Sequence, residues 1–435
     1  MSSASKLLIE SNNGVDSVDD FLTNKPEMTF FKNTYKKHTN YSFDWVDVNI
    51  DRGNVDFGEK IVFKMSNSNY DMIQDCVLKI VLPQIESPNS TDLINWIDKV
   101  GHAIIKKITL KIGNDKVIVT HNGEYMEIHN QLNMQNEKLK TYYNMIGYNK
   151  TFVEKTLTTN PYVLYIPLIF WFNKDIGLSL PICAIQNHDV TIEIELQQLS
   201  KLYYKYTDAI SANVVSGQQL KATMLTKYYK LGEVERKKMI NMKHKYLIEQ
   251  IQEIEHVVGA TDGKEHNVPL LGLKLPIKEM IWTGQPLDFY DDNNLYRLNS
   301  NSTPDYNFPF KYSHLTAVGA GRNFFKNFSF NVNGLSYFEN VDPQVFNLYL
   351  PYRYHNRTPD EGIFIYSFAN NPTQYQPSGS VNFTRLSTKD TYLRVKFNDA
   401  VTDILGTKSV KIKFYAINYN FLEIENGSVS LAFLE

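Results

Sequence analysis

Apolar and polar side chains alternate in short runs along this chain of 435 residues. The clearest run is VTIEIEL at residues 190–196, in which every second side chain is aliphatic. Only a period of two places those side chains on one face, which indicates a β-strand. Further runs of this kind lie at residues 76–82, 107–112, 328–332, 392–397, 410–414 and 429–433. Because each strand has one apolar and one polar face, the pattern predicts antiparallel sheets rather than a parallel sheet buried on both faces.

The runs form two groups, which predicts two β-sandwiches in tandem. We assign the chain to an N-terminal arm at residues 1–25, a first sandwich at 26–232, a linker at 233–243 and a second sandwich at 244–435. A chain of this length with 43% hydrophobic residues can bury two cores of ordinary size.

Turn and helix signals fit between the strands. Asn-Gly at residues 333–334 and 426–427 favours tight hairpin turns, and Pro-Ser-Gly at 377–379 fits a loop. Between residues 124 and 148, apolar side chains recur every three or four positions, which predicts one or two short helices. The basic segment 227–245 is predicted to be a solvated linker or exposed terminal strand, with contact to an acidic partner as the alternative.

Charge and cysteine content narrow the class of protein. The 45 basic residues are balanced by 47 acidic ones, which argues against a protein whose main task is to bind a phosphate backbone. Cys76 and Cys183 lie in apolar stretches, so we expect core thiols in a reducing setting rather than a disulfide framework. No apolar run reaches the roughly 18 residues that span a bilayer. Residues 1–20 lack the apolar core of a secretory signal, so we expect a mobile arm there and no ordinary N-glycosylation.

The chain carries none of the common sequence signatures of an active site. The ten His residues never form H-E-x-x-H, the two Cys are too far apart for C-x-x-C, and no G-x-S-x-G occurs. Residues 319–322 fit a flexible loop better than a phosphate loop, and residues 288–294 lack the spacing of a calcium loop. His188 fits a hydrogen-bonded residue at a strand entrance better than a catalytic base. We therefore predict no catalytic residue, no cofactor and no metal site.

Aromatic residues are abundant, with 28 Tyr and 25 Phe. Such side chains supply large contact areas in sandwich cores and at broad protein interfaces. Six members of two clusters are predicted to be structural or interface residues: Phe30, Phe31, Tyr35, Phe170, Trp171 and Phe172. For each of these residues, the prediction allows either a structural role or an interface role.

Five sequence blocks resemble, in the same order, the major capsid proteins of large nucleocytoplasmic DNA viruses. The blocks are NKPEMTFFK with YKKHTN at residues 24–40, YIPLIFWFN with GLSLP and AIQNHDV at 165–190, YLIEQ at 246–250, QPSG with NFTR at 376–385, and YAINYN with LAF at 415–433. They extend over nearly the whole chain, and five ordered blocks are far more specific than any one of them.

The resemblance implies an all-β fold of two tandem eight-stranded antiparallel jelly rolls with short inserted helices. It also implies that three chains form a capsomer of nearly hexagonal outline, and that these homotrimers tile an icosahedral shell around an internal membrane and a double-stranded DNA genome. The implied partners are the chain itself, neighbouring capsomers and minor capsid proteins, with membrane-side contacts through the N-terminal arm and no direct nucleic acid. We expect the protein in the virion, after assembly in the host cytoplasm. Residues 261–268 and 287–309 are polar stretches that fit the outward loops of the family.

Two features depart from the family and keep other functions open. The C-terminal block carries Glu423 and Glu425 where relatives usually have a basic stretch, and the segment between Trp282 and Phe310 is particular to this chain. The leading prediction is a non-enzymatic capsid protein that acts by self-association. The alternatives are a minor capsid paralogue and a glycan-binding viral attachment protein, since jelly rolls often hold sugar sites. A sandwich hydrolase would need a carboxylate pair or a metal cluster that the sequence does not show.

Overall fold

The computed structural model describes most of the chain, and the statements below concern that part of it. The described residues are 3, 25–66, 68–86, 94–113, 116–148, 162–205, 213–259, 265–286, 310, 312, 324–386, 390–398 and 409–433. The chain divides into two units, residues 1–40 and residues 41–435. In the first unit, residues 25–40 have turns and irregular backbone. The second unit contains the strands.

The first sandwich is formed by two antiparallel sheets. Its strands are β1 Tyr41–Val48, β2 Ile50–Arg52, β3 Lys60–Lys64, β4 Met72–Leu82, β5 Ile85–Glu86, β6 Ile94–Trp96, β7 Ile105–Ile112, β8 Val117–His121, β9 Tyr162–Pro167, β10 Val190–Leu196, β11 Tyr203–Lys205, β12 Asn213–Val214 and β13 Lys221–Leu231. One sheet has the order β1-β13-β4-β9 and the other β2-β3-β10-β7-β8, with short ladders β11-β6 and β12-β5. In β10 every second side chain is buried, as the alternation predicts.

The second sandwich repeats this plan. Its strands are β14 His244–Val258, β15 Glu265–Pro269, β16 Pro276–Pro286, β17 Phe325–Val332, β18 Leu335–Val341, β19 Ile363–Ser367, β20 Val381–Asn382, β21 Tyr392–Phe397, β22 Val410–Glu425 and β23 Ser428–Leu431. One sheet has the order β14-β22-β16-β19, with β20 beside β16 and β23 beside β22. The other has the order β15-β21-β17-β18.

The two sandwiches have the same strand order. Each sandwich has eight main strands, and one of its sheets contains the first, eighth, third and sixth of them in that spatial order. These strands are β1, β13, β4 and β9 in the first sandwich and β14, β22, β16 and β19 in the second. The remaining four, β3, β10, β7 and β8, correspond to β15, β21, β17 and β18. This arrangement of eight main strands in two packed sheets is a jelly roll. The predicted double jelly roll is therefore confirmed, while the exact residue boundaries of its domains stay a prediction.

Short helices lie between the strands. They are α1 Val100–Ala103, α2 Gly123–Asn133, α3 Asn136–Ile146, α4 Glu233–Asn241 and α5 Leu350–Tyr354, the last preceded by a π-helical turn at Val345–Tyr349. Helices α2 and α3 confirm the prediction for residues 124–148. Among the described residues, no helix is long and apolar enough to cross a membrane.

The basic segment 227–245 contains the end of strand β13 and an unburied connector, as predicted, but the connector forms the helix α4, which was not predicted. None of the side chains of α4 is fully buried, and its main tertiary contact is the ion pair of 2.7 Å between Arg236 and the buried Asp71. Two local effects favour it: Glu233 and Glu235 lie in the first turn, and Lys237 forms an ion pair with Glu233 one turn away. The prediction missed the helix because its surface carries charge on all sides.

The hairpin turns and most of the predicted core positions agree with the sequence. Asn333 and Gly334 both have positive φ (55° and 80°), as do Asn426 and Gly427 (51° and 77°), which is the conformation that tight hairpin turns require. The C-terminal run is partly wrong: Val429 is buried, but Phe433 lies beyond the end of β23 and is exposed. The chain leaves the sheet there, so its alternation no longer marks a buried face.

Several predicted loops fall wholly or partly outside the described residues. The polar stretch 287–309, the glycines at 319–322 and the acidic residues at 288–294 lie outside the described residues. In the stretch 261–268, residues 265–268 belong to strand β15, which pairs with β21. Val268 and Pro269 at the end of β15 pair with residues of β21. The loop prediction is therefore wrong for residues 265–268.

Candidate functional site

One part of the contact between the two sandwiches is built from one helix and one sheet face; in another part, β14, β22 and β23 bury Ile248, Leu422, Ile424 and Val429 in the core of the first sandwich. Helix α2 follows Asn122, whose side-chain oxygen accepts a hydrogen bond of 2.8 Å from the backbone N–H of Tyr125. This cap fixes the start of the helix. The side chains of Tyr125, Ile128 and Leu132 then recur every three or four residues and share one face.

That face packs on the outer surface of the sheet that contains β16, β19 and β22. The sheet contributes a patch of aliphatic and aromatic residues: Ile281, Ile363, Ile365, Tyr415 and Ile417. The rings of Tyr125 and Tyr415 lie 5.6 Å apart. Since the inner surface of the same sheet covers the core around Trp282, strands β16, β19 and β22 are buried on both faces where α2 packs on them. We call the contact of α2 with it the intrachain seam.

Polar contacts flank the intrachain seam. At the start of α2, Glu124 Oε2 lies 2.6 Å from Lys413 Nζ on β22. At the end of α2, the side-chain oxygen of Gln131 accepts a hydrogen bond of 2.9 Å from the backbone N–H of Asp360. These contacts set the direction of the helix across the sheet, because both ends are tied to the second sandwich.

A buried charged network supports α2 from the first sandwich. Glu127 Oε1 lies 2.6 Å from Lys99 Nζ, and its Oε2 lies 2.8 Å from His102 Nδ1. The other ring nitrogen of His102 lies 2.8 Å from the Tyr142 hydroxyl, and Gln131 donates to Glu127 at 2.9 Å. Burial alone would raise the pKa of Glu127, but Lys99 and His102 hold it well below its usual range.

A cavity of about 310 Å³ lies at the end of the intrachain seam. Its charged side chains pair with one another. Glu249 binds both Lys174, at 2.7 Å, and Lys278. Burial opposes the charge on Glu249, yet the two ammonium groups lower its pKa to about 2. His355 Nε2 lies 2.6 Å from Glu279 Oε1.

The charged groups at the intrachain seam form ion pairs with one another. Among the described residues, no group of three or more His, Cys, Asp or Glu side chains is placed to hold a metal ion. The two cysteines are free, and burial raises the pKa of the Cys183 thiol to about 11 and that of Cys76 further still. Neither thiol is therefore activated as a nucleophile. The ion pairs of Glu249 with Lys174 and of Lys413 with Glu124 link the two sandwiches.

The aromatic residues singled out in the sequence fall into two environments. Phe170, Trp171 and Phe172 are buried in the core of the first sandwich, with the rings of Phe170 and Phe172 5.3 Å apart. Phe30, Phe31 and Tyr35 are exposed in residues 25–40. The interface role predicted for these six residues stays a prediction.

Two further aromatic surfaces lie outside these six residues. On β1, the side chains of Tyr41, Phe43 and Trp45 share the outer face of the sheet and are exposed. Before and within α5, Leu348, Tyr349 and Tyr352 are exposed as well. The alternation YSFDW at residues 41–45 was a usable signal for a strand whose aromatic side chains share one face.

The chain contains two jelly rolls that are joined by an apolar seam, and the charged groups beside the seam form ion pairs with one another. This arrangement defines a structural protein of the double jelly-roll class. The sequence profile of the family "Major capsid protein N-terminus" matches residues 29–229, and that of "Large eukaryotic DNA virus major capsid protein" matches residues 235–430. Together they match most of the chain. The chain belongs to the major capsid protein family of large eukaryotic DNA viruses, and it is a non-enzymatic component of the viral capsid.

Individual relatives support this assignment. The chain is 26% identical to the major capsid protein of Phaeocystis pouchetii virus, with 95% of this chain and 97% of the relative covered. It is 27% identical to the major capsid protein of Paramecium bursaria Chlorella virus 1, with 95% and 96% covered. The solved structure "PBCV-1 virus capsid, quasi-atomic model" has a TM-score of 0.74 at 24% identity and covers 94% of this chain and 100% of that one. The structural likeness supports the fold.

Proposed function

We propose that three copies of this chain form a capsomer, and that such capsomers tile an icosahedral shell around an internal membrane and a double-stranded DNA genome. The observation that carries the proposal is the repeated sandwich with identical strand order in both halves. Three chains then supply six similar sandwiches. A ring of six similar units has a nearly hexagonal outline, and hexagonal units cover a flat facet without gaps.

The proposal includes the remaining parts of the assembly. Residues 1–25 act as an arm toward the inner side of the shell, residues 26–232 and 244–435 act as the two jelly rolls, and residues 233–243 connect them. Phe30, Phe31 and Tyr35 are proposed contact residues near the arm, because large exposed aromatic side chains are typical of interfaces. Neighbouring capsomers and minor capsid proteins are the proposed partners, and the host cytoplasm is the proposed place of assembly.

Light scattering after size exclusion tests the oligomer directly. The expected mass is close to three times 50.4 kDa. Obligate oligomers with large interfaces keep their mass on dilution, so the measurement is made over a range of protein concentrations. A particle of 50.4 kDa at every concentration would contradict the proposal.

A further inference from the structure

The cavity at the end of the intrachain seam has polar walls from both sandwiches, and we call it the seam cavity. The first sandwich contributes Tyr125, His129 and Lys174, and the second contributes Glu249, Lys278 and Glu279. The volume of about 310 Å³ leaves room for a ligand larger than a water molecule. Residues 174, 356 and 373 in its wall are exposed, so the seam cavity is open to solvent.

A β-bulge directs a lysine into the seam cavity. Neighbouring residues of a regular strand point to opposite faces of the sheet. The pairing of β16 with β22 shifts between Ile277 and Glu279, so Lys278 is the extra residue of a bulge. Lys278 and Glu279 consequently both line the seam cavity. The side chain of Lys278 is only 5% exposed, and its ammonium group donates a hydrogen bond of 2.7 Å to the carbonyl oxygen of Pro372.

Two ammonium groups share one carboxylate in the seam cavity. Lys174 Nζ lies 2.7 Å from one oxygen of Glu249, and Lys278 Nζ binds the other oxygen. The second carboxylate, that of Glu279, has His355 as its partner at 2.6 Å. The lysine side of the cavity therefore carries one positive charge more than the carboxylate bonded to it can balance.

The seam cavity also has unused hydrogen-bond donors. An ammonium group has three N–H donors, and Lys174 Nζ has Glu249 as its single bonded partner among the described residues. Within the same part of the chain, neither the Tyr125 hydroxyl nor a ring nitrogen of His129 has a hydrogen-bond partner. Both oxygens of Glu249 already accept from lysines. A ligand that fits these walls must therefore accept hydrogen bonds.

The electrostatic surroundings of His129 favour a negative charge in the seam cavity. Burial, which is the largest cause, and the nearby Lys174, His355 and Lys278 lower the pKa of His129 to about 3, against the opposing effect of Glu249. The ring is neutral at pH 7 and offers one N–H donor. A positive field that opposes protonation of the ring attracts an anion.

We propose that the seam cavity binds a small oxyanion of the size of inorganic phosphate. Its oxygens accept hydrogen bonds from Lys174, His129 and Tyr125, and its charge balances the second ammonium group. Because these donors belong to the first sandwich and Lys278 to the second, the bound anion links the two sandwiches. The site lies within one chain, so binding does not depend on the proposed trimer.

Calorimetric titration with inorganic phosphate at pH 7 tests the site, with sodium chloride of equal ionic strength as the reference. The full-length protein is expected to give a saturable heat with one phosphate per chain. Lys174→Met removes a charged donor and is expected to weaken binding at least about 10-fold. Tyr125→Phe keeps the ring that packs on Tyr415 and removes only the hydroxyl. It is expected to weaken binding about 5-fold.

Lys64→Met is the matched control. The side chain of Lys64 is 44% exposed, against 41% for Lys174, and it likewise forms an ion pair, at 2.8 Å to Asp189. This variant is expected to bind phosphate as wild type does. Circular dichroism checks that each variant is folded, and Tyr125→Phe, which keeps every charge, still tests the site if Lys174→Met does not fold. The absence of a saturable heat with wild-type protein, or an equal affinity in all folded variants, would overturn the proposal.

Discussion

The carboxylate of Glu127 should be among the most costly polar groups to remove from the first sandwich. Its side chain is fully buried, and the side chain of Lys99 beside it is almost fully buried. Replacement by glutamine keeps the size but removes the charge. The Lys99 ammonium group then stays in the interior without its directly bonded carboxylate, with Asp360 as a remaining acidic group that acts on it, and His102 loses its carboxylate partner.

The expected cost can be worked from these contacts. Breaking a buried ion pair by removing one partner costs about 3–5 kcal/mol. The rings of Tyr143 and Tyr148 lie 5.5 Å and 5.2 Å from Lys99 Nζ and retain part of the stabilisation of the cation. We therefore expect Glu127→Gln to lower the free energy of unfolding by about 3 kcal/mol. Urea denaturation followed by tryptophan fluorescence measures it.

Two control variants separate the network from general effects of charge. Lys237→Met breaks the exposed pair with Glu233 on α4 and should cost less than about 0.5 kcal/mol. Lys99→Met combined with Glu127→Leu removes both charges and should cost less than Glu127→Gln alone, because no unpaired charge remains. The reasoning is refuted if Glu127→Gln costs no more than Lys237→Met.

Three further predictions concern packing, backbone and pH. Trp282→Ala should cost about 3–5 kcal/mol in urea denaturation, because this buried ring packs against four phenylalanine rings; a cost under about 1 kcal/mol would contradict the packing. Gly123→Ala should lower the melting temperature more than Gly334→Ala, since an added Cβ would lie 1.9 Å from a backbone oxygen at the first site, whereas at the second it would meet open space and only the positive φ of 80° opposes it; equal effects would argue against the close approach. Burial lowers the pKa of His121 from 6.5 to about 3. The folded state therefore favours the neutral ring. The effect of this group on the free energy of unfolding is most favourable above about pH 6.5, and the free energy of unfolding decreases as the pH falls toward 3. His121→Phe should consequently retain up to about 3 kcal/mol more stability than wild type between pH 7 and about pH 4.5; identical acid titration curves would contradict this.

The strands could be predicted because burial of one sheet face places apolar residues at every second position of the sequence. Alternation in β10 and the Asn-Gly turns at 333–334 and 426–427 both report local geometry. Helix α2 could be predicted for the same reason, since its apolar residues recur at helical spacing. Each of these signals depends only on neighbours within a few residues.

The seam and its charges could not be predicted in this way. Glu127 and Lys99 are 28 residues apart and look like solvent-exposed residues in the sequence, yet folding buries them against each other. Lys413 meets Glu124 across 289 residues. Such pairs are decided by the packing of whole sandwiches rather than by local pattern. The exposure of the aromatic residues of β1 is decided in the same way, because aromatic content alone does not tell which sheet face is covered.

The central claim is that three chains place six similar sandwiches in one ring. Electron microscopy of the purified oligomer, with class averages viewed along its axis, tests this most directly. The account predicts six similar lobes in a nearly hexagonal outline, with alternating lobes related by threefold symmetry. A two-lobed particle, or an open chain of lobes that does not close, would contradict it.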